Sequence, residues 1–465
     1  MNNHNSNSNK LIKNTTVYMI GSAMSKLLNL AILPYITTML TTEQYGLFDL
    51  VQTITSVALP VFTFQTIESA FRFVYLEKYE RKGQVLTNVW FCIVVGTTLF
   101  VIISLIIDFL IIDIKFIYYL VIFYIFNVLM NMYQRIARSL NRNTVFALSG
   151  MIQTFSLLSF QYCLLNFWNM KAEGLIYAYA LSVIVTCIYI ETQVKSLQML
   201  SIRSIKIGVI KKLIRFSAPL IPNSISWWGV SSINRLIIVA TLGYSANGIF
   251  SMSNKFASVI TLITNTFHLA WQEYVLIEKD NPERTHLFSG VFKHYLMIVS
   301  LITSLGILFQ QLFFNILIDP AYFESYYYIP IVMIGVGISS VGSFYGAGYF
   351  AYEKTINAFF TTIVGAIVNI AMCILTVKNF GLYGIAFSSA IAYLIIWIAR
   401  HHSMKKYFCI NFKIRNLLLS IIVLFFSISI YYKNNNIYSI IGIAIVCVIF
   451  IAFNHKLIFR FFLDR

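Results

Sequence analysis

Charged residues are scarce in this chain. Asp, Glu, Lys and Arg together make up 11% of its 465 residues, whereas 58% of the residues are hydrophobic and the mean hydropathy is +0.76. A water-soluble protein of this length cannot bury so much apolar surface in its core. The composition therefore excludes a soluble protein and predicts an integral membrane protein.

Signatures of metal, disulfide and enzyme chemistry are also missing. The six cysteines form no Cys-x-x-Cys pair and have no histidine at metal-ligand spacing, so we expect neither a disulfide framework nor a metal site. The chain has no P-loop, nucleophile elbow or chelating carboxylate cluster, and "GAGYFAYEK" (346–354) lacks a Walker lysine and indicates close helix packing. The predicted outer loops are too short for a catalytic domain. We therefore predict that the protein is not an enzyme.

Apolar runs of membrane-spanning length dominate what is present. A bilayer core about 30 Å thick requires about 20 apolar residues per helix. Charged and Gly/Pro/Asn clusters divide the chain into about 14 such runs, after a polar tail over residues 1–14 that we expect to be disordered. The predicted spans are 15–40, 47–75, 88–112, 116–137, 145–167, 174–195, 216–242, 248–275, 291–318, 327–350, 355–377, 384–400, 416–433 and 437–455.

The positions of the cations set the orientation. The chain has 34 Lys+Arg against 17 Asp+Glu. In a soluble protein this excess would favour binding to nucleic acid, but in a membrane protein its meaning depends on which loops carry the cations. We therefore expect no nucleic-acid partner. Most cations, Arg400 included, fall in loops on the side of the N-terminus. Because positive loops stay inside, both termini are expected in the cytoplasm. The opposite side carries only Lys115, Lys171, Lys378 and Lys433.

The chain contains an internal repeat. "YGLFDLVQTITSVALPVFTFQTIESAFRFVYLEK" (45–78) parallels "NGIFSMSNKFASVITLITNTFHLAWQEYVLIEK" (247–279), and "GLIYAYALS" (174–182) parallels "GLYGIAFSS" (381–389) at a similar offset. Each half has an even number of spans, so the copies are parallel, as in several transporter folds whose substrate lies at the interface of the repeats. The repeat favours transport by alternating access.

The repeat also divides the chain into parts. We predict an N-lobe over 15–195 and a C-lobe over 216–400, each with six spans. A basic cytoplasmic linker over 196–215 joins the lobes. Residues 401–465 form an appendage of two further spans, which we expect to be dispensable for the transport cycle itself.

Five cations lie inside predicted spans, and three of them lack a nearby acid. Arg235 and Lys255 are equally far from the middle of the turn "LGYSANG" (242–248), which places them at the same depth on adjacent antiparallel helices. Lys26 lies near the middle of span 1 in the other half. Ionised groups in a span face a water-filled cavity or a partner. We therefore predict a cationic cavity, formed by Lys26, Arg235 and Lys255, that binds an anionic ligand.

The other two span cations, Arg72 and Lys293, lie close enough to the cytoplasmic end to reach the headgroup region. Aligning the repeats places Arg72 opposite Glu273, which suggests a cytoplasmic gate built from an Arg–Glu pair. The alternative is that Arg72 pairs with Glu68, one turn earlier on its own helix. The sequence leaves both open.

Four segments resemble a known family. "LPYITTMLTTEQYGLFDL", "FSAPLIPNSISWWGVSSINRLII", "SNKF" and "LAWQEY" resemble bacterial polysaccharide flippases of the Wzx type, which carry O-antigen or capsule repeat units and belong to the multidrug/oligosaccharidyl-lipid/polysaccharide exporter superfamily. The resemblance implies an all-α integral membrane fold with a V-shaped pair of six-helix lobes. It implies a substrate, an undecaprenyl-pyrophosphate-linked oligosaccharide, that crosses the bacterial inner membrane.

The resemblance also bears on partners and coupling. It implies membrane lipids, a polysaccharide polymerase and a chain-length regulator as partners, and no cofactor apart from a coupling H+ or Na+. Many relatives carry an acid before the span-7 arginine, whereas this chain has Asn234. We therefore do not expect a coupling-cation site at that position.

Three alternatives stay open at this stage. A lipid II flippase of peptidoglycan synthesis shares the fold and the cationic cavity. A polytopic oligosaccharide polymerase or ligase would normally present a long outer loop with catalytic residues, which is missing. A cationic-drug exporter would require carboxylates in its cavity, where this chain has cations.

Overall fold

The structure is a computed structural model that describes residues 32–463 apart from 77–78, 112–113, 353 and 412. Among these residues the regular secondary structure is helical, with no strand. The helices are α1 (Leu33–Met39), α2 (Thr42–Phe62), α3 (Thr66–Leu76), α4 (Tyr79–Ile111), α5 (Ile114–Ser139), α6 (Asn143–Asn166), α7 (Ala172–Val194), α8 (Ile207–Ser217), α9 (Leu220–Ser231), α10 (Ile233–Glu278), α11 (Arg284–Leu317), α12 (Ile329–Phe344), α13 (Gly346–Ala351), α14 (Thr355–Met404), α15 (Ile414–Tyr431) and α16 (Asn436–Leu463). Short 3-10 helices cover Ser196–Met199, Ile202–Ser204 and Pro320–Tyr327.

Ten helices in the described part of the chain are long and apolar enough to cross a membrane. Two of them, α10 and α14, have 46 and 50 residues, and 46 residues correspond to about 69 Å of helix, more than twice the bilayer core. Each is interrupted at one glycine with a positive φ, Gly243 in α10 (87°) and Gly381 in α14 (54°). These breaks fall between the spans predicted at 216–242 and 248–275, and at 355–377 and 384–400.

The first half has corresponding interruptions built from other residues. α1 and α2 are separated at Leu40, where Thr41 caps α2 in a capping box with Gln44. α6 and α7 are joined through a short segment that contains Asn169 in a left-handed conformation. In the aligned repeat, Thr41 corresponds to Gly243. The second half therefore uses a single glycine where the first half uses a capped turn.

The span predicted over 47–75 contains a break. The chain leaves the helix after α2, with Phe64 and Gln65 at φ of 50° and 53°, and α3 begins at Thr66. Pro60 contributes, because proline disfavours the helical turn in which it lies. The backbone amide of Gln65 donates to the Pro60 carbonyl oxygen at 3.2 Å, so these two backbone groups remain hydrogen-bonded at the break.

The chain separates into two compact units, divided between Trp228 and Gly229. The division falls inside α9, within the predicted seventh span. In the first unit, Trp228 Nε1 donates to the Thr53 carbonyl oxygen at 3.0 Å, and Gln65 donates to Ser224 Oγ at 2.7 Å. The start of α9 is therefore bonded to α2 and to the break that follows it.

The predicted linker is a docked structure. Its backbone amides at Ser201 and Lys206 donate to Thr87 Oγ1 (3.1 Å) and Asn88 Oδ1 (2.9 Å) of α4. The Asn88 amide nitrogen donates back to the Ser204 carbonyl oxygen at 3.0 Å. Residues 207–217 then form helix α8. These bonds fix the linker to the first unit.

The core of the second unit is aromatic. Trp271, Phe288, Phe292, Phe344 and Phe408 belong to one buried cluster. The close packing predicted for 346–354 is confirmed at Gly348, where an added Cβ would lie 2.8 Å from Phe408 Cγ. Since Phe408 follows α14, the segment assigned to the start of the appendage contributes to this core.

The last two helices are hydrogen-bonded to the rest of the second unit. Tyr326 and Tyr431 each donate a hydroxyl to the other's carbonyl oxygen, at 2.7 and 2.9 Å, and their rings stack with centroids 4.2 Å apart. Gln310 of α11 donates to the Tyr431 hydroxyl oxygen at 3.3 Å. Ser439 of α16 donates to the Gln311 side chain. The pair α15–α16 therefore satisfies polar groups that α11 buries.

Candidate substrate-binding site

Arg235 lies at the start of α10, directly after a break in the helical chain. Ser232 interrupts the helix between α9 and α10, with φ of −134°. Arg235 is partly buried, and its Nη1 donates to the Ser231 carbonyl oxygen at 3.3 Å. It also lies near enough to Tyr393 of α14 for an electrostatic interaction. The guanidinium is thus held at an interrupted helix rather than in a continuous one.

Lys255 lies on the same helix, beyond Gly243, and is also partly buried. Counted from the break at Gly243, Arg235 is about 12 Å of helix rise away and Lys255 about 18 Å. Because Gly243 precedes the middle of the predicted turn, the two cations lie at different helical distances from the break, on the two helical segments that meet there. The third cation of the predicted cavity, Lys26, lies outside the described residues.

Asn234 is the centre of a buried amide network. It is 3% exposed, and its amide nitrogen donates to Ser389 Oγ at 2.6 Å. Its oxygen accepts from Asn369 Nδ2 at 2.8 Å and from Cys373 Sγ at 3.3 Å. Asn369 also donates to the Val230 carbonyl oxygen at 3.1 Å. The network ties the residues on either side of the α9–α10 break to α14 and so positions the backbone next to Arg235.

Arg400 is a buried cation at a position where the sequence predicts a cytoplasmic loop. The predicted span ends at this residue, but its side chain is only 3% exposed. Its guanidinium donates to the Gly342 carbonyl oxygen at 3.2 Å and to Thr362 Oγ1 at 3.1 Å. His268, whose Nε2 is 3.3 Å from the Tyr295 hydroxyl oxygen, lies within electrostatic reach of it. The hydrogen-bond partners of Arg400 are 38 and 58 residues away in the sequence, so no local signal marks this position as buried.

Two of the predicted gate residues, Glu68 and Arg72, have partners within the first unit. Glu68 pairs with Arg135 of α5, so the alternative in which Glu68 pairs with Arg72 is wrong. Arg72 stacks its guanidinium over the Phe216 ring of α8, 4.5 Å from the centroid. Glu273 is exposed on α10 in the second unit.

No side-chain cluster suited to a metal ion occurs among the described residues: none contains three or more His, Cys, Asp or Glu side chains in reach of one ion. The six cysteines are free. The side chains described at the α9–α10 break are the Arg235 guanidinium and the amide, thiol and hydroxyl groups of the Asn234 network.

Comparison with known proteins identifies relatives of this architecture. The profile of a family described as "Polysaccharide biosynthesis protein" matches residues 11–271. No curated protein matches the chain by sequence.

Solved structures share its fold. The lipid II flippase MurJ in an inward closed conformation superposes with a TM-score of 0.71 at 16% identity, covering 95% of this chain and 100% of that one. An inward-facing multidrug resistance MATE transporter of the MOP superfamily gives 0.66 at 14% identity, covering 82% of this chain and 94% of that one. A MOP superfamily transporter from Pyrococcus furiosus, described as having a binding pocket of reverse polarity, gives 0.59 at 15% identity, covering 85% and 94%. These likenesses show that the chain shares the fold of these transporters.

Proposed function

Because the chain belongs to the polysaccharide biosynthesis protein family, we propose that it is a flippase that moves an undecaprenyl-pyrophosphate-linked oligosaccharide across the bacterial inner membrane by alternating access. The oligosaccharide would be an O-antigen or capsule repeat unit. The polymerase and chain-length regulator that act on the exported product are its proposed partners. Both termini would lie in the cytoplasm.

The observation that carries this proposal is the position of Arg235. A partly buried guanidinium, at a helix break and next to a fixed amide network, is suited to bind a diphosphate, because its planar donors match phosphate oxygens in pairs. Lys255, further along the same helix, supplies a second positive charge. A cation retained in an apolar helix at a cost of about 3 kcal/mol or more is expected to act on a ligand or partner. Lys26 remains a third candidate on sequence grounds.

The network around Asn234 argues against coupling of H+ or Na+ through this position. An amide carries no charge and does not titrate near neutral pH. Its oxygen and nitrogen are engaged by Asn369, Cys373 and Ser389. Coupling by either ion would require a group elsewhere in the chain.

A second candidate is a lipid II flippase. The TM-score of 0.71 with MurJ favours it, and lipid II presents the same polyprenyl diphosphate to the protein. The two candidates differ in the sugar, for which no residue is assigned. Reconstitution with each lipid-linked donor separates them, because the proposed function requires transport of the polysaccharide repeat unit.

The test of the proposed function is flipping in vesicles that contain the purified protein and no polymerase. We expect Arg235→Ala to lower the initial flipping rate about 30- to 150-fold, since a charge-assisted contact contributes about 2–3 kcal/mol. Arg235→Lys should recover part of the rate, because it restores the charge without the paired donors. Lys293→Ala, which removes a half-buried cation from α11, is the matched control and should be near wild type. Full activity of Arg235→Ala at equal protein content would refute the assignment.

A further inference from the structure

The first unit has a cationic site of its own, separate from Arg235 of the second unit. A recess of about 460 Å³ lies between α3 and α8 and is lined by Phe73, Gly208, Lys211, Lys212, Arg215 and Phe216. All of its residues belong to the first unit. The three lining cations are exposed, so the recess is open to the surroundings of α8.

Two cations stack on the aromatic rings that line the recess: Lys212, which lines it, and Arg72, which lies beside it. The Lys212 ammonium lies 4.7 Å from the centroid of the Phe73 ring, and the Arg72 guanidinium lies 4.5 Å from that of Phe216. The two rings meet edge to face, with centroids 5.5 Å apart. Stacking uses the face of the guanidinium, whereas its N–H donors point outward along its edge. Arg72 can therefore stack and bind an anion at the same time.

The helix that carries the recess is fixed in place. The hydrogen bonds from Ser201 and Lys206 to α4 hold the segment before α8. Gly83 of α4 contributes, because a side chain there would overlap the Met199 carbonyl oxygen. Holding several cations in one orientation before binding lowers the conformational entropy lost when an anion binds.

The surroundings point to a lipid. Ile202 and Ile207, which are adjacent in sequence to Arg203 and Lys206, are 86% and 72% exposed. A short helix with exposed apolar residues beside Lys and Arg is typical of segments that lie in the membrane interface. The positive-inside rule assigns this side to the cytoplasm, and the recess would therefore face lipid headgroups of the inner leaflet.

We propose that this recess binds the phosphate of a membrane lipid in the cytoplasmic leaflet. Two lipids carry the required chemistry: an anionic phospholipid, and the polyprenyl diphosphate carrier. The second source rests on the proposed function and would make the recess a first contact for the substrate. The first source is independent of transport.

Direct binding to the purified full-length protein in detergent tests the proposal without any flipping assay. The probes are dioctanoyl phosphatidylglycerol, dioctanoyl phosphatidylcholine and farnesyl pyrophosphate. The doubly substituted K211Q/R215Q protein removes two recess cations. The R203Q/K206Q protein removes two cations of the same linker that do not line the recess, and is the matched control.

We expect K211Q/R215Q to weaken binding of phosphatidylglycerol or farnesyl pyrophosphate about thirtyfold, which corresponds to about 2 kcal/mol for two cations. R203Q/K206Q should weaken it less than about threefold, since charges outside the site act only through a screened field. Equal losses in the two proteins would overturn the proposal, because they would show a general charge effect. Unchanged binding in K211Q/R215Q would overturn it as well.

A variant that keeps the charge gives an independent check. An added Cβ at Gly208 meets no atom within 4 Å, so Gly208→Leu should fold normally and fill the recess. Gly290 of α11 is equally open and provides the control Gly290→Leu. We expect only the first substitution to weaken binding.

The wild-type protein identifies the source. Displacement of phosphatidylglycerol by farnesyl pyrophosphate at a lower concentration assigns the recess to the carrier diphosphate, and the reverse order assigns it to phospholipid. Failure of both lipids to bind more tightly than phosphatidylcholine would overturn the proposal and leave the proposed function intact.

Discussion

At the scale of the single residue, Asn234 determines how Arg235 is presented. Its side chain bonds to α14 on both sides, through Asn369 and Ser389, so the first turn of α10 is fixed. The Ser389 hydroxyl also donates to the Ile385 carbonyl oxygen at 3.0 Å. The single Ser389 hydroxyl proton is therefore already used, and Ser389 can only accept a hydrogen bond from residue 234. A side chain at position 234 must be a donor to form this bond.

This bonding predicts that Asn234→Asp destabilises the protein. A carboxylate facing the Ser389 oxygen would lose a hydrogen bond and add a buried negative charge, at a cost of about 2 kcal/mol or more. We expect a lower midpoint of thermal unfolding in detergent. Asn254→Asp is the control, since Asn254 is only half-buried on the same helix and donates to its own helix backbone. Equal midpoints for the two variants would contradict the network's role.

Two glycines of α13 make a second matched pair. A Cβ at Gly348 would lie 2.8 Å from Phe408 Cγ, whereas at Gly346 it would meet nothing within 4 Å. We expect Gly348→Ala to lower stability by about 1–3 kcal/mol through overpacking, and Gly346→Ala to be neutral or slightly stabilising. Comparing the thermal unfolding of the two purified variants tests this prediction. A stabilised Gly348→Ala protein would contradict it and show that Phe408 can move to accommodate the added methyl group.

At the scale of the element, residues beyond the C-lobe boundary predicted at 400 contribute to the aromatic core of the second unit. A chain that ends at Lys406 loses Phe408 and Ile410, which are 1% and 3% exposed in the aromatic core. Inactivity of such a chain would report misfolding and would not test whether α15 and α16 are needed for transport.

A chain that ends after Asn411 keeps this core and tests the role of α15 and α16. We expect it to be less stable than the full chain, because Gln310 and Gln311 of α11 lose their partners Tyr431 and Ser439. We still expect it to flip substrate once reconstituted. A truncated protein that elutes as a single folded species yet transports nothing would show that α15 and α16 belong to the transport machinery.

At the scale of the whole molecule, the cation distribution predicts the orientation. In a variant without native cysteines, Lys433→Cys should react with a membrane-impermeant maleimide added to intact spheroplasts. Lys405→Cys should react only after permeabilisation, because its loop is expected inside. Both positions are exposed. The opposite labelling pattern would show that the chain has the inverse orientation in the membrane.

The sequence predicts the fold better than the site because the two depend on different information. Apolar runs and single glycines such as Gly243 are local signals, so the helical membrane architecture of the MOP transporters could be predicted and is confirmed by the structure. The partner of Arg72 is a ring on α8 and the donors to Asn234 are on α14. Contacts between residues more than 100 positions apart leave no periodic trace. The burial of Arg400 likewise could not be read from its place at a span end, because its partners Gly342 and Thr362 lie on other segments of the chain, 58 and 38 positions away.

The attachment of the linker to α4 should affect how susceptible the folded chain is to proteolysis. Residues 195–215 contain six lysines and arginines, which in an extended segment would be ready targets for trypsin. Proteolysis needs a backbone that can open locally, whereas here it is wound into helical turns and bonded to α4. Tryptic resistance of this stretch would therefore report its attachment to the first unit, and sensitivity would appear when that attachment is lost.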